Sequence, residues 1–145
     1  MKIEELLEKK LLIKSNSSTQ EIEGSLAIAE KFLERAKGNM KIEYFDVAFT
    51  LAYQSMFHSA RALLFKNNFK ERSHSALVQV LKEIYKSENQ LAELLEAMNS
   101  YRISRHAVQY SGISCSKEDA VEIIKEAEKL IETADAIISK EKKKK

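Results

Sequence analysis

The chain of 145 residues is 44% hydrophobic and 32% charged, a composition typical of one globular domain. It contains no proline and only three glycines, so we predict a nearly all-helical fold with short connections. The net charge of +2 argues neither for nor against a nucleic-acid partner, because four lysines at the end of the chain supply much of the positive excess. No apolar run approaches the ~18–20 residues that cross a bilayer, and the single cysteine excludes an internal disulfide. We therefore expect a cytoplasmic protein that has no membrane partner.

Three helices are predicted in the first half of the chain. Apolar residues at helical spacing indicate a short amphipathic helix over residues 3–11. Ser18 and Glu21 form a capping-box pattern that opens a second helix, and Gly38-Asn39 is a typical stop signal for it. The third helix, from about residue 42 to Asn67, is the most hydrophobic, so we predict that it lies at the centre of the fold. Small residues follow one side of it and would let a neighbouring helix approach closely. They are Ala48, Ala52, Ser55, Ser59 and Ala62.

Three more helices are predicted in the second half. One begins at Ser73 or His74, the next covers Leu91–Tyr110 and is closed by Gly112, and the last begins near Ser116. Four long helices joined by connections of about 5–8 residues predict an all-α fold, an antiparallel up-and-down four-helix bundle with a short additional N-terminal helix. The corresponding domain prediction is an N-terminal helical extension over residues 1–17, a bundle over 18–140 and a basic tail over 141–145.

The helix that begins near residue 91 changes character along one face. Its first half carries an ordinary apolar stripe made of Leu91, Leu94, Leu95 and Met98. The next positions of the same stripe are Arg102, Arg105, His106 and Gln109. These four side chains lie within roughly 100° of one another around the helix. Because buried charge is costly unless it is paired or used, this face is the candidate functional site. The alternative interpretation is a helix end that emerges into solvent, where arginine and histidine are common.

The other reactive side chains do not combine into a recognisable site. Isolated glycines at helix ends cannot form a phosphate-binding loop, and one Glu-x-x-His spacing, from Glu71 to His74, is too little for a di-iron centre. One cysteine and three histidines on separate helices are too few for zinc, so we predict no metal and no cofactor. We interpret His58 as a core or interface histidine and His74 as a surface residue at a helix start. The ring of Tyr53 is expected to pack in the core, with its hydroxyl hydrogen-bonded.

Four stretches of the chain resemble the HEPN family, the nucleotide-binding domain shared by higher eukaryotes and prokaryotes. They are AFTLAYQSMFHSARALLF over residues 48–65, SHSALVQVLKEIY over 73–85, SYRISRHAVQYSG over 100–112 and KEDAVEIIKEAEKLIE over 117–132. The resemblance spans roughly Ile22–Ile138, preserves the order of the helices and is strongest to small stand-alone members. The predicted N-terminal helix lies outside it.

The signature of this family lies near the end of its third long helix and consists of an arginine, a polar residue, three variable residues and a histidine. Laid on this sequence, the arginine is Arg105, the polar residue is His106 and the histidine position is Tyr110. In members that are metal-independent ribonucleases, the arginine and the histidine act at the scissile phosphate, so the resemblance implies catalytic roles for these three positions. Tyrosine, with an ordinary pKa of about 10, is a poorer proton-transfer group at neutral pH than histidine at about 6.5. Arg102 and His106 share a face at i, i+4 and form an alternative pair.

The resemblance leaves three functions open, of which we favour the first. That function is a nucleotide- or RNA-binding or regulatory subunit that acts with a minimal nucleotidyltransferase, as in toxin–antitoxin pairs, without standard ribonuclease activity. The resemblance then implies a homodimer whose two signature helices line a shared cleft. The residues implied to bind phosphate or nucleotide there are Arg102, Arg105, Gln109 and Tyr110.

The second function is a metal-independent ribonuclease with a variant Arg/His/Tyr motif. The third is a purely structural dimeric module, in which Arg105 pairs with a buried acid. The candidates for that acid are Glu93, Glu96 and Asp46.

Overall fold

Six helices make up most of residues 2–112 and 114–143, the part of the chain that the computed structural model describes. They are α1 (Lys2–Glu8), α2 (Thr19–Lys41), α3 (Phe45–Lys66), α4 (His74–Ile84), α5 (Asn89–Tyr110) and α6 (Lys117–Lys143). The predicted all-α helical bundle is confirmed. Within the described residues, no helix combines the length and the apolar character needed to span a bilayer. The side chains of Gln109 and Tyr110 lie outside the described part of the structure, as do Lys144 and Lys145 of the predicted basic tail.

Helix α3 is the central helix, as its composition predicts. It contacts α2, α4, α5 and α6. The small residues on its surface are buried and allow close packing against α2, where the Ser55 hydroxyl donates a hydrogen bond of 2.8 Å to the carbonyl oxygen of Ala29. The Ser59 hydroxyl donates to the carbonyl oxygen of Ser55 at 3.0 Å, so both buried hydroxyl groups are satisfied.

Helix α2 begins where the sequence predicts and ends later. Ser18 and Glu21 form the complete capping box at its start. The helix continues through Gly38, however, and ends at Lys41, so the predicted stop is wrong. The chain turns instead at Glu43, whose φ of 64° is left-handed. The Glu43 N–H donates to the carbonyl oxygen of Met40 at 3.2 Å and the Tyr44 N–H to that of Asn39 at 2.9 Å, so two carbonyl groups of the last turn are satisfied without a glycine.

Two short strands, β1 (Leu12–Lys14) and β2 (Phe69–Glu71), form an antiparallel pair that the sequence did not predict. The register places Leu12 opposite Glu71 and Ile13 opposite Lys70. Helix α1 ends at Glu8 rather than Leu11 because Lys10, with a φ of 60°, reverses the chain towards β2. Leu12 is completely buried and belongs to the hydrophobic core. The N-terminal segment is therefore joined to the connection between α3 and α4.

Candidate functional site

A cleft of about 550 Å³ lies between the start of α4 and the second half of α5. It is lined by His74, Arg102, Ile103, Arg105 and His106. The three charged or titratable α5 side chains that the helical period placed on one face thus lie along one cleft. The arginines are half-buried and His106 is exposed. The predicted contributions of Gln109 and Tyr110 remain predictions, because these side chains are outside the described residues.

The position of the cleft follows from how α5 packs. The apolar first half of its stripe is in the core, with Leu91, Leu95 and Met98 completely buried. The same face reaches the edge of the bundle one turn later, where Arg102 and then Arg105 follow. The long apolar stems of arginine can lie against the core while the guanidinium groups reach the cleft.

Arg105 lies against a buried tyrosine of α3. Its guanidinium carbon is 5.0 Å from the centre of the Tyr53 ring, which is a cation–π distance. Tyr53 is completely buried, and this burial raises the pKa of its hydroxyl to about 12 although Arg105 and Arg102 act in the opposite direction. The phenol therefore keeps its proton at neutral pH and is able to donate a hydrogen bond.

His74 is the cleft residue whose role the sequence did not reveal. It is the first residue of α4, directly after Ser73, whose hydroxyl accepts from the Ala76 N–H at 3.0 Å and caps the helix. The prediction of a surface residue at a helix start is right only in part, because His74 faces the open cleft but is half-buried, with its ring stacked on Phe57 at a centroid distance of 4.1 Å. Its Nδ1 is 3.0 Å from the Tyr53 hydroxyl oxygen.

The His74 ring is held in its neutral form by its surroundings. Burial lowers the pKa of His74 from the ordinary value of 6.5, and the charges of Arg105, Arg102 and Arg61 lower it further. His58, the predicted core or interface histidine, is also half-buried and stacks on Phe32 at 5.6 Å. Each of these rings lies against a phenylalanine.

An ion pair with a buried carboxylate lies two turns along α3 from Tyr53. Arg61 Nε is 2.8 Å from Glu71 Oε1, but the N–H does not point at the oxygen, so the contact is an ion pair without a hydrogen bond. The Glu71 side chain is only 5% exposed. Burial raises the pKa of Glu71, and the Arg61 charge partly opposes that rise. This pair attaches β2 to α3 directly before His74.

The acidic side chains that were candidates for a buried ion pair with Arg105 are not buried. Glu93, Glu96 and Asp46 are all exposed. Glu96 forms an ion pair with Lys82 of α4. None of the three is therefore the buried partner that the structural alternative requires.

The cleft is chemically suited to anions. Guanidinium groups only donate hydrogen bonds, and arginine binds phosphate and carboxylate groups through two parallel bonds. Within residues 2–112 and 114–143, no group of three or more histidine, cysteine, aspartate or glutamate side chains is arranged to hold a metal ion.

Comparison with known proteins agrees with this fold and this sequence pattern. The chain matches the HEPN domain over residues 22–138, which extend from the first turn of α2 to near the end of α6. Two proteins of Methanocaldococcus jannaschii, both named as putative toxins, are similar to it. One is 29% identical over 115 residues, which are 78% of this chain and 85% of the relative; the other is 31% identical over 103 residues, 70% of each. A UPF0332 protein of Archaeoglobus fulgidus is 25% identical over 124 residues, 83% of this chain and 97% of the relative. The chain belongs to the HEPN family.

Proposed function

We propose that the cleft between α4 and α5 binds phosphate groups of RNA or a nucleotide, and that the chain is a toxin-type regulatory subunit acting with a minimal nucleotidyltransferase. The observation that carries the proposal is the meeting of two arginines and two histidines, Arg102, Arg105, His74 and His106, along one cleft. The relatives named as putative toxins support the toxin-type role. The nucleotidyltransferase partner is an expectation from the family resemblance.

Binding without standard cleavage is favoured because of the residue at the signature histidine position. Tyr110 stands there, and a phenol with an ordinary pKa of about 10 neither accepts nor donates a proton efficiently at neutral pH. The arginine that contacts the phosphate is retained, as Arg105. An RNA or nucleotide would then be held and oriented rather than cut by the usual histidine.

The test is fluorescence anisotropy of a labelled single-stranded RNA at one fixed salt concentration. Arg102→Ala and Arg105→Ala are each expected to weaken binding by about tenfold or more, as loss of a charged hydrogen bond does. Arg35→Ala removes the same charge from an exposed position on α2 and is the matched control, with an expected change below about twofold. Equal losses in all three variants would show unspecific attraction to the net charge and contradict the proposal.

A metal-independent ribonuclease is the second candidate, and one observation favours it. The cleft is lined by two imidazoles, His74 and His106, which would allow one to accept the proton of a 2′-hydroxyl and the other to protonate the leaving oxygen. The protein is incubated with total RNA and tRNA in the presence of a chelator, beside His106→Ala and Arg105→Ala. Cleavage by the wild type alone would establish this candidate, while RNA binding without cleavage supports the binding subunit.

A further inference from the structure

The hydrogen bond between Tyr53 and His74 lies at the wall of the cleft. The hydroxyl oxygen and Nδ1 are 3.0 Å apart, and the tyrosine is completely buried. A buried hydroxyl is costly unless it is hydrogen-bonded, and Nδ1 of a neutral imidazole is a good acceptor when it carries no proton. Within the described residues the Tyr53 hydroxyl has no hydrogen-bond partner other than His74, so its proton is satisfied only if Tyr53 donates to Nδ1 of His74.

We propose that Tyr53 fixes His74 in the tautomer that carries its proton on Nε2, and that this Nε2–H donates a third hydrogen bond to the phosphate held by Arg102 and Arg105. The inference rests on the proposed phosphate site and adds a ligand-contacting residue to it. His74 touches the ligand, and Tyr53 is a positioning residue that acts through His74.

The orientation of the ring supports this assignment. Phe57 stacks on one side of the His74 ring at 4.1 Å, with an angle of 22° between the planes. The Tyr53 ring lies 6.1 Å away at 23°. Since Nδ1 is engaged by a buried residue and His74 lines the cleft, Nε2 is the ring nitrogen that a ligand in the cleft can reach.

The tautomer decides what the cleft recognises. With the proton on Nε2, the histidine adds a donor to the guanidinium donors, and all three groups match the oxygens of an ionised phosphate. With the proton on Nδ1, a nitrogen lone pair would face those oxygens and repel them. Arg105 lies on the Tyr53 ring, so the same tyrosine contacts both the arginine and the histidine.

The tautomer is measured first, in the protein without ligand, by long-range proton–nitrogen NMR correlation of the histidine rings. We expect the Nε2–H pattern for His74 in the wild type and a mixture of tautomers in Tyr53→Phe. Tyr85→Phe is the matched control, because it removes a buried tyrosine hydroxyl that accepts from Asn67 Nδ2 at 2.8 Å and does not line the cleft. An Nδ1–H pattern in the wild type would overturn the inference.

The ligand contact is measured by anisotropy with the same labelled single-stranded RNA. Tyr53→Phe and His74→Ala should each weaken binding by about 2- to 10-fold, the effect of losing one hydrogen bond. His74→Gln places an amide donor near the position of Nε2 and should recover part of the affinity, which separates a lost contact from a damaged fold. Tyr85→Phe should bind like the wild type.

The outcomes distinguish this inference from the proposed function. If the arginine variants lose RNA while Tyr53→Phe and His74→Ala bind as the wild type does, the inference is overturned and the phosphate site stands. If the wild type does not bind RNA, the proposed function and the ligand contact fail together.

Discussion

At the scale of single residues, loss of the ion pair between Arg61 and Glu71 should lower the stability of the fold measurably. Arg61→Met would leave a carboxylate that is 5% exposed without its counter-charge. Removing one partner of a buried pair costs about 3–5 kcal/mol, and because Arg61 itself is about a third exposed we expect about 1–3 kcal/mol. Urea denaturation measures this. Lys37→Met, which breaks the exposed pair with Glu128, should cost no more than about 1 kcal/mol.

The stability lost in Arg61→Met should depend on pH in a definite direction. Burial raises the pKa of Glu71, so the folded chain binds this proton more tightly than the unfolded chain does. Protonation therefore stabilises the fold as the pH falls, and this stabilisation is lost as the pH rises through the raised pKa. The stability deficit of Arg61→Met should shrink as the pH falls from neutrality towards 4.5, the ordinary pKa of a glutamate. A deficit that is constant with pH would mean that Glu71 is not the group left unpaired.

The residue scale also shows how much of the site the sequence could predict. The helical period of α5 placed Arg102, Arg105 and His106 together because neighbours within one helix follow a fixed rotation. The role of His74 was not predictable, since its partner Tyr53 lies 21 residues earlier on another helix. No local pattern encodes such a contact, which depends on how α4 packs against α3.

At the scale of elements, Gly38 and Gly112, which the sequence places at predicted helix ends, should change the stability in opposite directions when each is replaced by alanine. Gly38 lies inside α2, and a Cβ there would meet no atom within 4 Å. Gly38→Ala should stabilise the protein by about 0.5–1 kcal/mol, because alanine is the better helix former. Gly112, which follows α5, has a φ of 69°, so Gly112→Ala should destabilise by about 1–2 kcal/mol. Thermal unfolding of both variants tests this, and shifts of the same sign would refute it.

The elements missed by sequence reasoning share a physical cause. β1 and β2 have three residues each, too few for an alternating pattern to appear, and their pairing joins segments far apart in the chain. The end of α2 at Lys41 depends on Glu43 in a left-handed conformation, which glycine adopts far more readily. Long helices with repeated apolar positions were predictable, and short or strained connections were not.

At the scale of the whole molecule, the homodimer implied by the family resemblance makes a prediction about the rim of the cleft. Ile103 lines the cleft and is 61% exposed, so a second copy of α5 facing the same cleft would cover it. We expect sedimentation at twice the chain mass of 16.6 kDa for the wild type, and at the chain mass for Ile103→Glu. Ile28→Glu introduces the same charge at a 41% exposed isoleucine of α2 and should remain dimeric. A monomeric wild type would rule out this assembly.

The strand pair has a consequence for local opening of the molecule. The Arg72 N–H donates to the carbonyl oxygen of Leu11 and the Ser15 N–H donates to that of Asn68, each at 2.8 Å, so the pairing extends beyond both ends of β2. Detachment of the N-terminal segment removes the acceptor of the Arg72 N–H and so exposes this amide to exchange with solvent. β2, which ends at Glu71 shortly before His74, would then lose its pairing with β1 and keep its ion pair with Arg61 of α3. The rate of hydrogen exchange at this amide therefore reports how often the N-terminal segment, which precedes the HEPN match, leaves the connection that leads to the cleft.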